Sequence, residues 1–160
     1  PLSDFPFVSI FPSSSLVERT TPFSARVNDT YSPVQFIDFI DLDLDLNDVG
    51  GNITWELPYE MSQVTHYLVY IAVNETGEGR SQIQEEVPFD EGVLLMEPDT
   101  SVDDRRFIVV YSRSSLVEST TPNAFEFNDT FSEANVTFVD KDLDETQIGG
   151  DITWETPEPD

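Results

Sequence analysis

The chain contains no cysteine, which excludes disulfides, thiolate metal ligands and a cysteine nucleophile. Basic residues are scarce: 7 Lys and Arg stand against 32 Asp and Glu, a formal charge of −25. Nucleic acid is excluded as a partner, because its phosphates demand clustered cations. An anionic lipid surface is disfavoured for the same reason. A single histidine, His66, leaves imidazole catalysis one candidate. No apolar run approaches the ~18 residues of a spanning helix, so no membrane insertion is expected in this segment. No signal peptide opens the chain, so a secreted protein would have lost its signal or would carry it outside this sequence. Helical signals are missing too, since no stretch combines a 3.6-residue period with caps. What remains is 38% hydrophobic and 12% aromatic, too apolar for simple disorder despite the charge.

Self-similarity organises the 160 residues. Ser14-Ser15-Leu16-Val17-Glu18 returns as Ser114-Ser115-Leu116-Val117-Glu118, and Asn28-Asp29-Thr30 as Asn128-Asp129-Thr130, both 100 positions on. Gly50-Gly51-Asn52-Ile53-Thr54-Trp55-Glu56 returns as Gly149-Gly150-Asp151-Ile152-Thr153-Trp154-Glu155, now 99 positions on. A period this long is one small domain rather than a solenoid repeat. The expected division is residues 1–33 as the last strands of a preceding repeat, 34–130 as a complete domain, and 131–160 as the first strands of a following repeat. Neither partial repeat closes a core alone, because two or three strands are marginal in water. Two resolutions are open. The first 30 residues of one molecule pair with the last 30 of the next, or the sequence is cut from a longer repeat chain.

Most segments of the central repeat read as strands. Residues 52–57 alternate, placing Ile53, Trp55 and Leu57 on one face. Residues 64–73 form an apolar-rich strand with Tyr67, Val69, Ile71 and Val73 as its inner set and His66 facing out. Residues 74–79 make a turn with two glycines, residues 93–96 form a strand that ends before Pro98, and residues 107–111 give another apolar run. Phe125 and Phe127 alternate with Glu126 and Asn128. The pattern predicts an all-β fold, an antiparallel β-sandwich. On three markers the central repeat resembles a fibronectin type III domain. They are Ile53-Thr54-Trp55-Glu56-Leu57-Pro58; Val64-Thr65-His66-Tyr67-Leu68-Val69-Tyr70; and Met96-x-Pro98-x-Thr100 followed by Phe107-Ile108-Val109-Val110-Tyr111. The resemblance implies fibronectin type III-like topology in tandem repeats of about 100 residues. Two departures are a longer loop at residues 101–106, and Phe107 where that family carries a corner tyrosine.

Five of the seven asparagines, Asn28, Asn52, Asn74, Asn128 and Asn135, open an Asn-x-Thr acceptor triplet for N-linked glycans. Chance would give about one. Strand alternation turns Asn52, Asn128 and Asn135 outward while Ile53, Trp55, Phe127 and Val136 turn inward. Asn74 sits on the turn. Such a coat places the chain in a secretory route, extracellular and either secreted or cell-surface.

Asp41, Asp43, Asp45 and Asp48 form one acidic ladder; Asp140, Asp142 and Asp144 form its second copy. Read with period two, the aspartates are the solvated outer face of the repeat's first strand, with Leu42, Leu44 and Leu46 behind them. The functional alternative is calcium, a hard cation suited to closely spaced carboxylates. The EF-hand pattern is absent, so further ligands would come from elsewhere, with Glu18, Glu118, Asp29 and Asp129 as candidates. The aspartates persist where Leu42 and Leu46 become Lys141 and Glu145.

Catalysis has no foundation in these residues. His66 lies on an outer face, and Ser14 and Ser114 lack the strand–turn–helix setting of an activated nucleophile. The first expectation is a structural extracellular glycoprotein, not an enzyme. Copies of it would join end to end, by exchange of strands between molecules, into a glycan-coated fibril. The second is an adhesion or ligand-binding ectodomain with the repeats as spacers or binding modules. No cofactor is required by either; calcium and covalent N-linked glycans are the candidates.

Overall fold

The computed structural model describes residues 4–132 and 135–155. Residues 156–160, part of the expected following repeat, lie outside the described residues, as do 1–3 and 133–134. Among the described residues every regular element is a strand, and every pairing between strands is antiparallel. A first hairpin joins β1 (Phe7–Ile10) to β2 (Phe23–Arg26). The central body follows with β3 (Gln35–Phe39), β4 (Asp48–Glu56), β5 (His66–Ala72), β6 (Ser81–Gln82) and β7 (Val87–Pro88). It continues with β8 (Val93–Ser101), β9 (Phe107–Arg113) and β10 (Asn123–Glu126). A last hairpin pairs β11 (Val136–Phe138) with β12 (Ile152–Trp154).

The central body has two sheets. One runs β3-β4-β8; the other runs β10-β9-β5-β6, with β7 also on β5. Alternation on β4 drives Ile53 and Trp55 inward while Asn52, Thr54 and Glu56 face water. From the opposite sheet Tyr67, Val69, Ile71, Ile108 and Val110 meet them, so the two inner faces share one core. Trp55 and Tyr67 pack edge to face at 5.7 Å, and Phe39 and Phe127 do so at 5.8 Å. Such aromatic pairs add ~0.5–1.5 kcal/mol each beyond the area they bury.

Three strand expectations change. Val73 falls beyond the end of β5 and is exposed, because its amide turns to the Glu78 carbonyl. The outer face of β5 and β9 is buried as well, with Leu68, Ala72, Val109 and Tyr111 in a second apolar cluster. Arg80 roofs that cluster, its guanidinium 4.4 Å from the Tyr70 ring and 4.5 Å from the Tyr111 ring, and its charge meets Glu118 at 2.8 Å. Burial, and then the hydrogen bond it donates to Glu118, push the Tyr70 hydroxyl above its ordinary range. Finally, β8 does not stop before Pro98. It runs through a bulge opposite Val49 and Gly51 and regains its register at Thr100, so the following loop is shorter than the sequence suggests.

Gly51 lies at this bulge with φ +147°, where an added Cβ would stand 2.6 Å from the Ile40 carbonyl oxygen. Only glycine fits without moving that backbone.

Candidate functional site

The acidic ladder is a loop between β3 and β4, not the outer face of a strand. Short carboxylates hydrogen-bond the backbone two residues on, and this competes with sheet pairing. Asp41 Oδ1 accepts from the amides of Asp43 at 3.1 Å and Gly50 at 3.0 Å; Asp43 Oδ1 accepts from the Asp45 amide at 3.0 Å. The expected burial is inverted at the first step: Asp41 is buried, whereas Leu42, Leu44 and Leu46 are exposed. The second copy repeats the turn. Asp140 Oδ1 accepts from Asp142 at 3.0 Å and Gly149 at 2.9 Å, and Asp142 Oδ1 accepts from Asp144 at 2.8 Å.

The loop also grips the segment that leaves the central body. Asp41 Oδ2 accepts from the Thr130 amide at 2.8 Å, and Asp129 Oδ2 accepts from the Asn47 amide at 2.7 Å. The Ser132 amide donates to the Leu44 carbonyl at 3.1 Å. Asp129 Oδ1 is buried with no hydrogen-bond partner among the described residues.

Of the predicted ladder residues, the fold brings Asp43 and Asp45 together with Asp99, one carboxylate oxygen from each lying within 4.8 Å of the others. The Asp99 amide donates to Asp43 Oδ2 at 2.7 Å, and this bond is the largest cause holding the Asp43 carboxyl below its ordinary range. Asp41 is not in the cluster; its oxygens hold the amides of Asp43, Gly50 and Thr130 instead. Asp48 sits in β4 opposite Ser101 and also stays outside. Glu118 is engaged by Arg80 and Tyr70 rather than by the ladder. Sequence reading missed Asp99. It stands in the β8 bulge with φ +60°, a placement that depends on pairing with β4 and leaves only Pro98 as a local trace.

The five acceptor asparagines lie away from the core. Asn28, Asn52, Asn128 and Asn135 are exposed, and Asn74 is half-buried. Ile53, Trp55 and Phe127 point inward as expected, whereas Val136, on the last hairpin, is exposed. Asn74 Oδ1 accepts from the Thr76 amide at 3.1 Å, the Thr76 hydroxyl at 2.8 Å and the Glu78 amide at 3.2 Å. Its amide nitrogen donates to Glu78 at 2.8 Å.

At the opposite end of β9 lies a cavity of about 370 Å³. The entering segment lines it with Tyr31 and Pro33, the approach to β5 with Val64, β9 with Val110, and the loop after β9 with Leu116 and Val117. That loop is closed by Ser114, whose hydroxyl accepts from the Leu116 and Val117 amides, and Ser14 does the same for Leu16 and Val17. His66 is 3.6 Å from a Glu86 carboxylate that also receives Arg113, a charged group on the sheet surface.

No family model, no curated protein and no solved structure matches this chain.

Proposed function

We propose that the protein is a structural extracellular glycoprotein, built of fibronectin type III-like units that join end to end into a glycan-coated fibril. One observation carries the reading: apolar residues bare on the outlying hairpins have buried counterparts one period away. Val8 is 57% exposed and its counterpart Ile108 0%; Ile152 is 61% and Ile53 0%; Trp154 is 64% and Trp55 5%. Bare faces of this composition are association surfaces.

The hairpins also share the register of their counterparts. Val8 pairs with Ala25 as Ile108 pairs with Phe125, and Phe138 pairs with Ile152 as Phe39 pairs with Ile53. The central body indicates what covers such faces, since there β3 lies against β10 and Phe39 packs on Phe127. A neighbouring copy's last hairpin set against this chain's first hairpin restores that arrangement between molecules. The contact is head to tail and need not close, which is the geometry of a propagating fibril. The order of strands in the two sheets supports the fibronectin type III-like assignment. The outward asparagines support the glycan coat and a place outside the cell or on its surface. Asp43, Asp45 and Asp99 are the residues that would hold calcium, with water completing its six to eight oxygens.

Electron microscopy of the native, glycosylated material tests the reading. Uniform filaments with a repeating subunit are expected. Dispersed single particles would overturn it in favour of a ligand-binding ectodomain.

A further inference from the structure

The two ends of the central body each display half of one junction. At its exit, residues 129–132 are tied to the ladder loop through Asp41, Asn47 and the Leu44 carbonyl. At its entrance, residues 30–32, the counterparts of 130–132, line the cavity with Pro33, and the Ser32 carbonyl accepts from the Ser112 hydroxyl. Ser132, which binds the Leu44 carbonyl, is the counterpart of Ser32, which lines the cavity. Counterpart positions of one short segment therefore touch the ladder loop at the exit and the cavity at the entrance.

From this continuity we infer that the ladder loop of a second copy of this chain docks in the cavity, with Leu143 as its apolar anchor. Leu143 is the counterpart of Leu44, and it is the one leucine of the ladder present in both copies. It stands 97% exposed. The receiving walls are Tyr31, Val64, Val110, Leu116 and Val117, a surface suited to a branched aliphatic side chain. Asp142 turns back into its own loop, its Oδ1 accepting from the Asp144 amide, while Leu143 beside it is exposed. The inference rests on the end-to-end reading and specifies which residues meet there.

Cross-linking tests it, and the lack of native cysteine makes the chemistry clean. Leu143→Cys chains are mixed with Val117→Cys chains under a mild oxidant, with Tyr59→Cys as a control for random collision. All three positions are exposed, so the variants fold as the parent does. Each variant carries a single cysteine, so any disulfide reports contact between molecules. The expected result is a disulfide-linked species joining the Leu143→Cys and Val117→Cys chains, far more abundant than either control pairing. Leu143→Asp should also weaken association roughly ten- to hundredfold, the effect of unseating one buried leucine. Chains that form filaments without this preferential link would refute the docking and leave the end-to-end reading standing. Chains that do not associate at all would overturn both.

Discussion

Replacing Asp41 with alanine should loosen both the ladder turn and the exit from the central body. Its carboxylate collects three amides: Asp43 and Gly50 on one oxygen and Thr130 on the other. The Gly50 amide is buried, so its lost bond goes unreplaced, at about 1–3 kcal/mol. The other two amides are only partly buried and recover water, which leaves about 0.5–1 kcal/mol each. The total is about 3 kcal/mol, a large share of the roughly 5–15 kcal/mol that holds a domain together.

Removing a negative charge from so acidic a chain relieves some repulsion and works in the opposite direction. Asp41→Asn removes the same charge but keeps an acceptor for Asp43 and Gly50, and it turns its amino group toward Thr130. It should cost about 1 kcal/mol, so the gap between the two variants isolates the hydrogen bonds. Urea unfolding followed by tryptophan fluorescence reads this as a lower midpoint at unchanged slope. If Asp41→Ala falls within about 0.5 kcal/mol of the parent, as an ordinary surface change does, the carboxylate does not hold the turn.

Gly51→Ala should destabilise the central body by about 1–3 kcal/mol, because a Cβ at φ +147° runs into the Ile40 carbonyl; an unchanged urea midpoint would show that this backbone yields freely. Asp43 has its folded pKa depressed, chiefly by the Asp99 amide, so its contribution is complete above the unfolded value near 3.8 and is lost as the pH falls through the lower folded value. The stability difference between parent and Asp43→Asn should therefore be present at about pH 6 and shrink as the pH is lowered past the unfolded value; a difference unchanged by pH would refute the assignment. Calcium at a hundredfold excess over its Kd should add about 2.7 kcal/mol and raise Tm. Asp99→Asn should abolish that rise, and an identical rise in the variant would place the ion elsewhere.

Much of the core was legible because Ile53 and Trp55 alternate with polar neighbours and residues 67–73 form an apolar run whose odd positions Tyr67, Val69 and Ile71 face the core. The ladder was misread because Asp-x-Asp-x-Asp has the period of a strand, whereas its side chains prefer their own backbone. The poor strand tendency of aspartate was the available signal. The double burial of β5 and β9 was foreshadowed by runs such as Ile108-Val109-Val110-Tyr111, which do not alternate at all. Nothing local announces that Arg80 roofs the outer cluster, since its partners Tyr70, Tyr111 and Glu118 come from three separate segments. Asp99 is hidden in the same way, because its neighbours Asp43 and Asp45 lie more than 50 residues earlier.

The bulge in β8 bears on the girth of any assembly. The outer margin of the β3-β4-β8 sheet is a row of amides and carbonyls that a neighbour could zip onto sideways. Pro98 interrupts the row with a residue that has no amide hydrogen, and the Gln84 side chain already occupies the Leu95 carbonyl at 2.8 Å. A flanking chain finds no unbroken seam there. Sideways pairing along β8 is discouraged, so under the proposed end-to-end assembly this margin adds length rather than width.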